Sequence, residues 1–349
     1  MKPGIKNTPL LLSPNSVIPC NLCRSQQVEV LSLTDRKRRY LRTVICKKCG
    51  LIWCDPRPAT HDIRHFYATG YRKTYKGSCK PKPKHILRDA YEALRRYDFL
   101  AEILRRDDHV LDIGAGSGVF VRVLTELGYS SVTGIEPDEH YAAFAQESLR
   151  AEVENSFLQD FQKRNRFRLA TMHHVLEHLE NPLAALRLIH GLLQPHGCLA
   201  LEVPNALDMR QDPLNRYHAA HLYTFTPETL EWMGRKAGFA LRILHIAPAH
   251  GNIMALFQKQ ESSGMEWDIP TGNDNCARTM EALREYTTLK HFTSRGPYLK
   301  FFGSAMKSVA EKIAATAAGE PEEIVRSVVS KRNGWRCPPF IARYYLERS

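Results

Sequence analysis

Val110-Leu111-Asp112-Ile113-Gly114-Ala115-Gly116-Ser117-Gly118 is the stretch that decides the fold. Its first four residues are apolar save for one acid, which reads as a buried strand. Glycine then recurs at every second position, and Val119-Phe120-Val121-Arg122-Val123-Leu124 follows with the character of a helix. Glycines at such a junction let the backbone approach a ligand closely, and the helix start offers free N–H groups. The dinucleotide fingerprint G-x-G-x-x-G requires a third glycine where this chain has Val119, so the spacing is instead acid-x-G-x-G-x-G.

Strands and helices alternate outward from this loop. Strands are expected over 110–113, 131–136, 169–173 and 198–203, with helices over 118–127, 139–150, 182–193 and 227–238. This alternation predicts an α/β fold, a Rossmann-like doubly wound and mostly parallel sheet with helices on both faces. Segments 241–246 and 253–258 read as strands with no helix between them, so one is expected to run antiparallel as a hairpin edge. Thr226-Pro227 suits an N-cap and first helical position.

Upstream, apolar residues at helical spacing predict a helix over 85–106, preceded by a basic linker around 72–84 and a short helix over 60–69. Downstream, amphipathic helices are expected over 277–289, 298–315 and 322–329, and the end Trp335-Arg336-Cys337-Pro338-Pro339-Phe340 reads as packing against the main domain, the alternatives being a cover over a substrate cleft or a contact with a partner. The chain divides into a metal module (16–58), a helical linker or lid (59–107), the α/β domain (108–260) and a helical C-terminal extension (261–349), with residues 1–15 expected to be disordered.

A length of 349 residues suits one large domain or two to three smaller ones, and 43% hydrophobic with 25% charged residues is ordinary for a globular protein. No apolar run approaches the roughly 18–20 residues of a membrane span. Leu10-Leu11-Leu12 is too short and too interrupted by proline for a signal peptide, which predicts a cytoplasmic location. The net charge of +12 suits nucleic acid, anionic membrane or phosphate-bearing partners, but the basic residues are scattered and read as solvated surface.

Four of the nine cysteines form two C-x-x-C pairs, Cys20/Cys23 and Cys46/Cys49, with strands expected between them and Gly50 after the second. Two such knuckles place four thiolates around Zn²⁺ in a structural site. No βαβ pattern flanks either pair, which disfavours a redox motif. Cys54 reads as an ordinary thiol.

The acid-x-G-x-G-x-G loop resembles motif I of class I S-adenosylmethionine-dependent methyltransferases. In that setting Asp112 is expected to hold the cofactor's ammonium and the loop N–H groups its carboxylate. Glu136, ending the second strand, suits the ribose diol, because a carboxylate accepts from two hydroxyls. Asp160 and Phe161 stand where adenine contacts would come, and His174 completes the expected cofactor contacts with Gly114, Gly116 and Gly118. In His174-Val175-Leu176-Glu177-His178, His178 suits a general base and Glu177 its orienting partner, while the alternative is that both only cap and anchor the next helix. His173 and His174 are weaker candidates for the base. His218 and His221, after the fifth strand, suit either the acceptor side or a structural role.

Residues about 18–258 are similar to a bacterial family of zinc-ribbon class I methyltransferases, whose members modify sugars or other small metabolites. The matching elements are the two cysteine pairs, Pro56-Arg57-Pro58, Phe66-Tyr67…Tyr71, the glycine loop, Glu177-His178-Leu179, Leu193-Gln194-Pro195-His196-Gly197, Val203-Pro204-Asn205 and His221-Leu222…Phe225-Thr226. The resemblance implies a seven-stranded sheet, an N-terminal zinc ribbon, closure of the site by Tyr67 and Tyr71, and catalysis by Glu177 and His178. The chain departs from the pattern at Arg168, where an acid is usual, and at His196, where glycine is usual. Its short helical tail, in place of a second α/β domain, speaks against the sugar C-methylation of related enzymes.

The leading expectation is methyl transfer from S-adenosylmethionine to a small-molecule hydroxyl. A first alternative is an RNA methyltransferase using the ribbon and basic surface, although the Asn/Asp-Pro-Pro-aromatic loop of amino-group methylases is absent. A second is a non-catalytic binding protein that kept the fold, against which the intact loop and Glu136 argue.

Overall fold

The molecule is described by a computed structural model for residues 18–57, 64–65, 80–208, 211–247, 251–261, 267–294, 298 and 319–334. Near the N-terminus, β1 (Val28–Thr34), β2 (Tyr40–Cys46) and β3 (Ile52–Cys54) form an antiparallel sheet close to the expected strand positions. The two-residue strand Tyr223–Thr224 pairs antiparallel with β3 and completes it. The ribbon is thereby stitched to a segment more than a hundred residues downstream. One face of it shares the domain's core, with Leu22, Val44 and Trp53 buried in one cluster with Leu111, Leu186 and Phe225, while Ile45 and Ile52 form a second cluster with Ala206.

α1 (Pro83–Leu100) buries Ile86, Leu87, Ala90, Leu94, Tyr97 and Leu100, the expected stripe. It stops six residues short of the expected end, and the chain turns where the Arg105 N–H donates to Asp108 Oδ2 at 2.8 Å. There follow β4 (Val110–Ile113), α2 (Val119–Glu126), β5 (Val132–Glu136), α3 (Glu139–Leu149), β6 (Val153–Asn155), β7 (Phe167–His173), α4 (Pro182–Leu192), β8 (Leu193–Val203), β9 (the Tyr223–Thr224 strand), α5 (Pro227–Lys236), β10 (Phe239–Ile246) and β11 (Ile253–Lys259). Asp138, Asn181 and Thr226 cap α3, α4 and α5 with their side chains, and Pro227 opens α5 as expected.

The main sheet has seven strands in the order β10-β11-β8-β7-β4-β5-β6. β6, β5, β4, β7 and β8 run parallel, and β11 is antiparallel to both neighbours. The antiparallel strand is therefore not the edge: β11 inserts between β8 and β10. Successive side chains alternate between two clusters, one on each face. Leu111, Ile113 and Met172 lie with α4 and α5, while Val110, Leu169 and Ala200 lie with α1, α2 and α3. No helix among the described residues is long and apolar enough to cross a membrane.

β8 starts earlier than expected, at Leu193, and turns within itself at His196, whose φ of +58° lies in the left-handed region. That region favours glycine, which accounts physically for the residue expected there. The tail also differs. The helix expected over 277–289 is two, α6 (Asn275–Glu285) and α7 (Thr288–Thr293), separated by Tyr286-Thr287, with Thr287 capping the second. α6 lies on the ribbon, where Asn275 Nδ2 donates to the Cys49 carbonyl at 2.9 Å. α8 (Pro321–Ser330) buries Ile324, Val325 and Val328 against the α1 and α2 face, and its Glu322 pairs with Arg122 at 2.9 Å. The expected helix over 298–315 and the Trp335–Phe340 end lie outside the described residues apart from Tyr298, and so do residues 1–15.

Candidate active site

The sheet order reverses about β4, with β5 and β6 on one side and β7 and β8 on the other. In such sheets ligands sit beyond the carboxyl ends of the strands at the reversal. A cavity of about 640 Å³ opens there, within the range of roughly 300–1,000 Å³ usual for small-ligand sites.

Its floor is the glycine loop. Gly114, Gly116 and Gly118 have φ of +74°, +58° and +77°, all left-handed. A Cβ on Gly114 would stand 2.4 Å from Val175 Cγ2, so the loop touches the opposite wall. Gly114 and Gly116 line the cavity, whereas Gly118 serves the fold. It is the N-cap of α2, with room for a Cβ removed by Ala145 at 2.6 Å. Asp112 is 4% exposed, accepts from Thr171 Oγ1 at 2.7 Å and lies 3.6 Å from His173 Nδ1. Glu136 accepts from the Gly116 N–H at 2.8 Å and the Asp138 N–H at 3.2 Å. Its side chain lines the cavity.

Two expected cofactor contacts are placed elsewhere. Phe161 is buried in the core, 6.0 Å from the Phe167 ring, and Asp160 is half exposed and paired with Arg64 at 2.6 Å. The neighbouring Phe157 and Gln159 line the cavity instead, with the Arg64 guanidinium 4.3 Å from the centre of the Phe157 ring. A short 3₁₀ turn over Leu158–Asp160 rotates the pair by a few positions, which a propensity reading does not resolve.

The opposite wall carries His174, with φ of +55°, and His178. His178 Nδ1 lies 2.6 Å from the Ala220 carbonyl and donates to it, which leaves Nε2 as the basic nitrogen. Glu177 is 1% exposed, and neither carboxylate oxygen has a hydrogen-bond partner. The nearest ring nitrogens to it are His174 Nδ1 at 3.4 Å and His178 Nε2 at 3.9 Å. Burial disfavours a charged His174, but Glu177 and Glu202 outweigh it and hold its pKa up at about 9. Burial pushes His218 down to about 4 and His221 well below its ordinary value, aided by the neighbouring His178. His221 stacks edge-on to His178 at 4.8 Å. Tyr67 and Tyr71 lie outside the described residues.

Sequence reasoning missed Glu202. This acid on β8 is buried and held by Arg95 (2.6 Å), Arg96 (2.8 Å) and Asn252 (2.9 Å). Its carboxyl loses water on burial, yet His174 and the two arginines keep its pKa far below the ordinary range. An acid inside the apolar run Leu199-Ala200-Leu201-Glu202-Val203 was the available signal. Removing one member strands buried charge at a cost of roughly 3–5 kcal/mol. Glu202→Leu should therefore lower unfolding free energy by about 3 kcal/mol, read as an earlier urea midpoint with unchanged slope.

At the ribbon, the Sγ atoms of Cys20, Cys23, Cys46 and Cys49 all lie within 4.8 Å of one another, with Cys20–Cys49 at 3.5 Å and Cys23–Cys46 at 3.4 Å. A tetrahedral Zn²⁺ with bonds of about 2.3 Å spaces its sulfurs about 3.8 Å apart, so the four donors fit that ion. Hydrogen bonds from Cys20 and Cys23 hold the Cys46 thiol far below its ordinary pKa. Cys54 stands apart and donates to the His221 carbonyl at 3.2 Å, with burial raising its pKa to about 12.

Residues 85–244 match the family model of a methyltransferase domain. These residues have the class I methyltransferase fold. A demethylmenaquinone methyltransferase of Chlamydia felis is 30% identical over 141 residues, covering 39% of this chain and 59% of that protein. The chain thus spans somewhat over half the length of this curated relative. Among solved structures, an S-adenosylmethionine-dependent methyltransferase of Mesorhizobium loti is 17% identical with a TM-score of 0.41, over 47% of this chain and 97% of its own. Another from Methanosarcina mazei is 18% identical with a TM-score of 0.40, over 47% and 98%. The match covers β4–β9 and most of β10, while β11, the ribbon and the tail helices α6–α8 lie beyond it.

Proposed function

We propose that this protein transfers a methyl group from S-adenosylmethionine to a hydroxyl of a small molecule such as a sugar or secondary metabolite. The observation that carries the reading is one cavity in which the glycine loop, Asp112 and Glu136 face His174 and His178. Bound S-adenosylmethionine supplies an electrophilic methyl on a sulfonium. Asp112 would hold its ammonium, the Gly116 loop its carboxylate and Glu136 its ribose, with Phe157 against the adenine. The opposite wall would present the acceptor in line, where positioning carries much of the rate. His178 Nε2 would accept the hydroxyl proton, which is consistent with Nδ1 being committed to Ala220. The name of the Chlamydia felis relative supports methyl transfer to a small molecule, and Tyr67, Tyr71 and His221 would complete the acceptor side.

Cys20, Cys23, Cys46 and Cys49 would bind a structural Zn²⁺ whose role is to place the acceptor wall. Asn21, between the first two cysteines, donates to Asn181 Oδ1 at 2.8 Å and accepts from the Leu183 N–H at 3.0 Å. Asn181 begins α4, directly after the His178 turn.

A panel of hydroxyl acceptors with radiolabelled S-adenosylmethionine tests the reading. His178→Ala should lower turnover by about 10²–10⁴-fold while cofactor affinity stays within twofold. Undiminished turnover would remove His178 from the chemistry, and label transferred only to RNA would replace the acceptor class.

A further inference from the structure

Glu177 is 1% exposed, and neither of its oxygens has a hydrogen-bond partner, although the His174 ring stands 3.4 Å away. A buried carboxylate with both oxygens lacking hydrogen bonds is costly, and such groups call for a specific reason, an ion among them. Around it, one donor atom each from Glu177, His178 and His221 lies within 4.8 Å of the others. We infer that Glu177, His178 and His221 hold a divalent transition-metal cation on the acceptor wall, separate from the cysteine centre.

The chemistry of the set suits this. Two imidazoles and one carboxylate are the donors of three-ligand Zn²⁺, Fe²⁺ and Co²⁺ sites that leave further positions open. A ligating imidazole donates its other N–H to a carbonyl or carboxylate, and His178 Nδ1 does so to Ala220 at 2.6 Å, directing Nε2 toward Glu177. Glu177 and His178 are adjacent on one 3₁₀ turn. His221 arrives from the segment just before β9, held where Cys54 donates to its carbonyl. The ribbon thus fixes the third ligand. His178 lines the cavity, so open positions on the cation would face an acceptor oxygen. With the cation bound, Nε2 would be a ligand instead of the base of the metal-free reading above, and the cation would lower the pKa of an acceptor hydroxyl that gives its proton to solvent water.

The test reads metal uptake and needs no activity, so it is independent of the methyl-transfer reading. Full-length protein with its cysteine centre filled by Zn²⁺ is titrated with Co²⁺. About one further equivalent should bind, with weak visible absorption and without the intense near-ultraviolet thiolate-to-cobalt bands of a cysteine site. Glu177→Gln and His221→Ala should each weaken this uptake at least tenfold, whereas His218→Ala, which alters a neighbouring ring outside the donor set, should retain it. Near-ultraviolet circular dichroism confirms that each variant is folded. Absence of Co²⁺ uptake by the wild-type protein beyond the cysteine centre overturns the inference. So does equal uptake by the folded Glu177→Gln and His221→Ala variants.

Discussion

Removing the Zn²⁺ proposed for the ribbon should dismantle both the ribbon and the His178 wall of the cavity. Chelation, or Cys46→Ser, is expected to abolish metal retention at the cysteine centre, melt β1–β3 and reduce turnover more than tenfold. Structural zinc in small modules contributes on the order of 10 kcal/mol of folding free energy, and the ribbon has few alternatives to it. Its buried apolar residues Leu22, Val44 and Trp53 belong to the core shared with the domain, so the loss propagates. Three connections carry it: Asn21 to Asn181 at the start of α4, β3 to β9, and Arg57 to the Glu180 carbonyl and the Tyr223 hydroxyl. All three meet the segments that flank His178 and His221. Metal analysis with far-ultraviolet circular dichroism checks the outcome. A Cys46→Ser protein with unchanged metal content, fold and turnover would show the ribbon to be independent of the ion.

The second large effect is expected at Gly114. Its φ of +74° already disfavours any side chain, and a Cβ there would meet Val175 Cγ2 at 2.4 Å. Gly114→Val therefore combines left-handed strain of roughly 1–2 kcal/mol with a collision across the cavity floor. Cofactor affinity should fall by at least about a hundredfold, close to 2.7 kcal/mol. Because Val175 follows β7 and leads into the His178 turn, the acceptor wall should shift too. Calorimetry and urea denaturation separate the terms. An affinity within threefold of wild type would mean that the glycine loop is not the cofactor floor.

Much of this architecture was legible because the relevant signals are local. The glycine loop, the β–α alternation and the Thr226 cap each depend on a few adjacent residues, and the structure places them where the periodicity indicates. The misses have non-local causes. β6 has a single buried residue, Val153, and β9 has two residues in all, so neither carries a pattern; each exists because a neighbouring strand offers it hydrogen bonds. β11 pairs on both sides, and nothing in its own sequence says that it inserts beside β8 instead of ending the sheet.

The candidate site divides in the same way. Asp112, Gly114, Gly116, Glu136, His174 and His178 come together around one cavity because strand ends meet at the reversal of the sheet. Phe161 and Phe157 exchange places because a single 3₁₀ turn sets which ring faces inward. Glu202 becomes conspicuous only once α1 lays Arg95 and Arg96 across β8. The burial of Glu177 beside His178 and His221 likewise depends on a segment some forty residues downstream.

The proposed reaction requires that the cavity beside β4 bind S-adenosylmethionine. Isothermal titration of the zinc-loaded, full-length protein with S-adenosylmethionine tests it most directly, with Asp112→Asn as the paired variant. The wild-type protein should bind with a Kd in the micromolar range, with a loss of at least about tenfold when the Asp112 charge is removed, the scale of one charge-assisted hydrogen bond. No binding by the folded wild-type protein, or equal binding by Asp112→Asn, would contradict it.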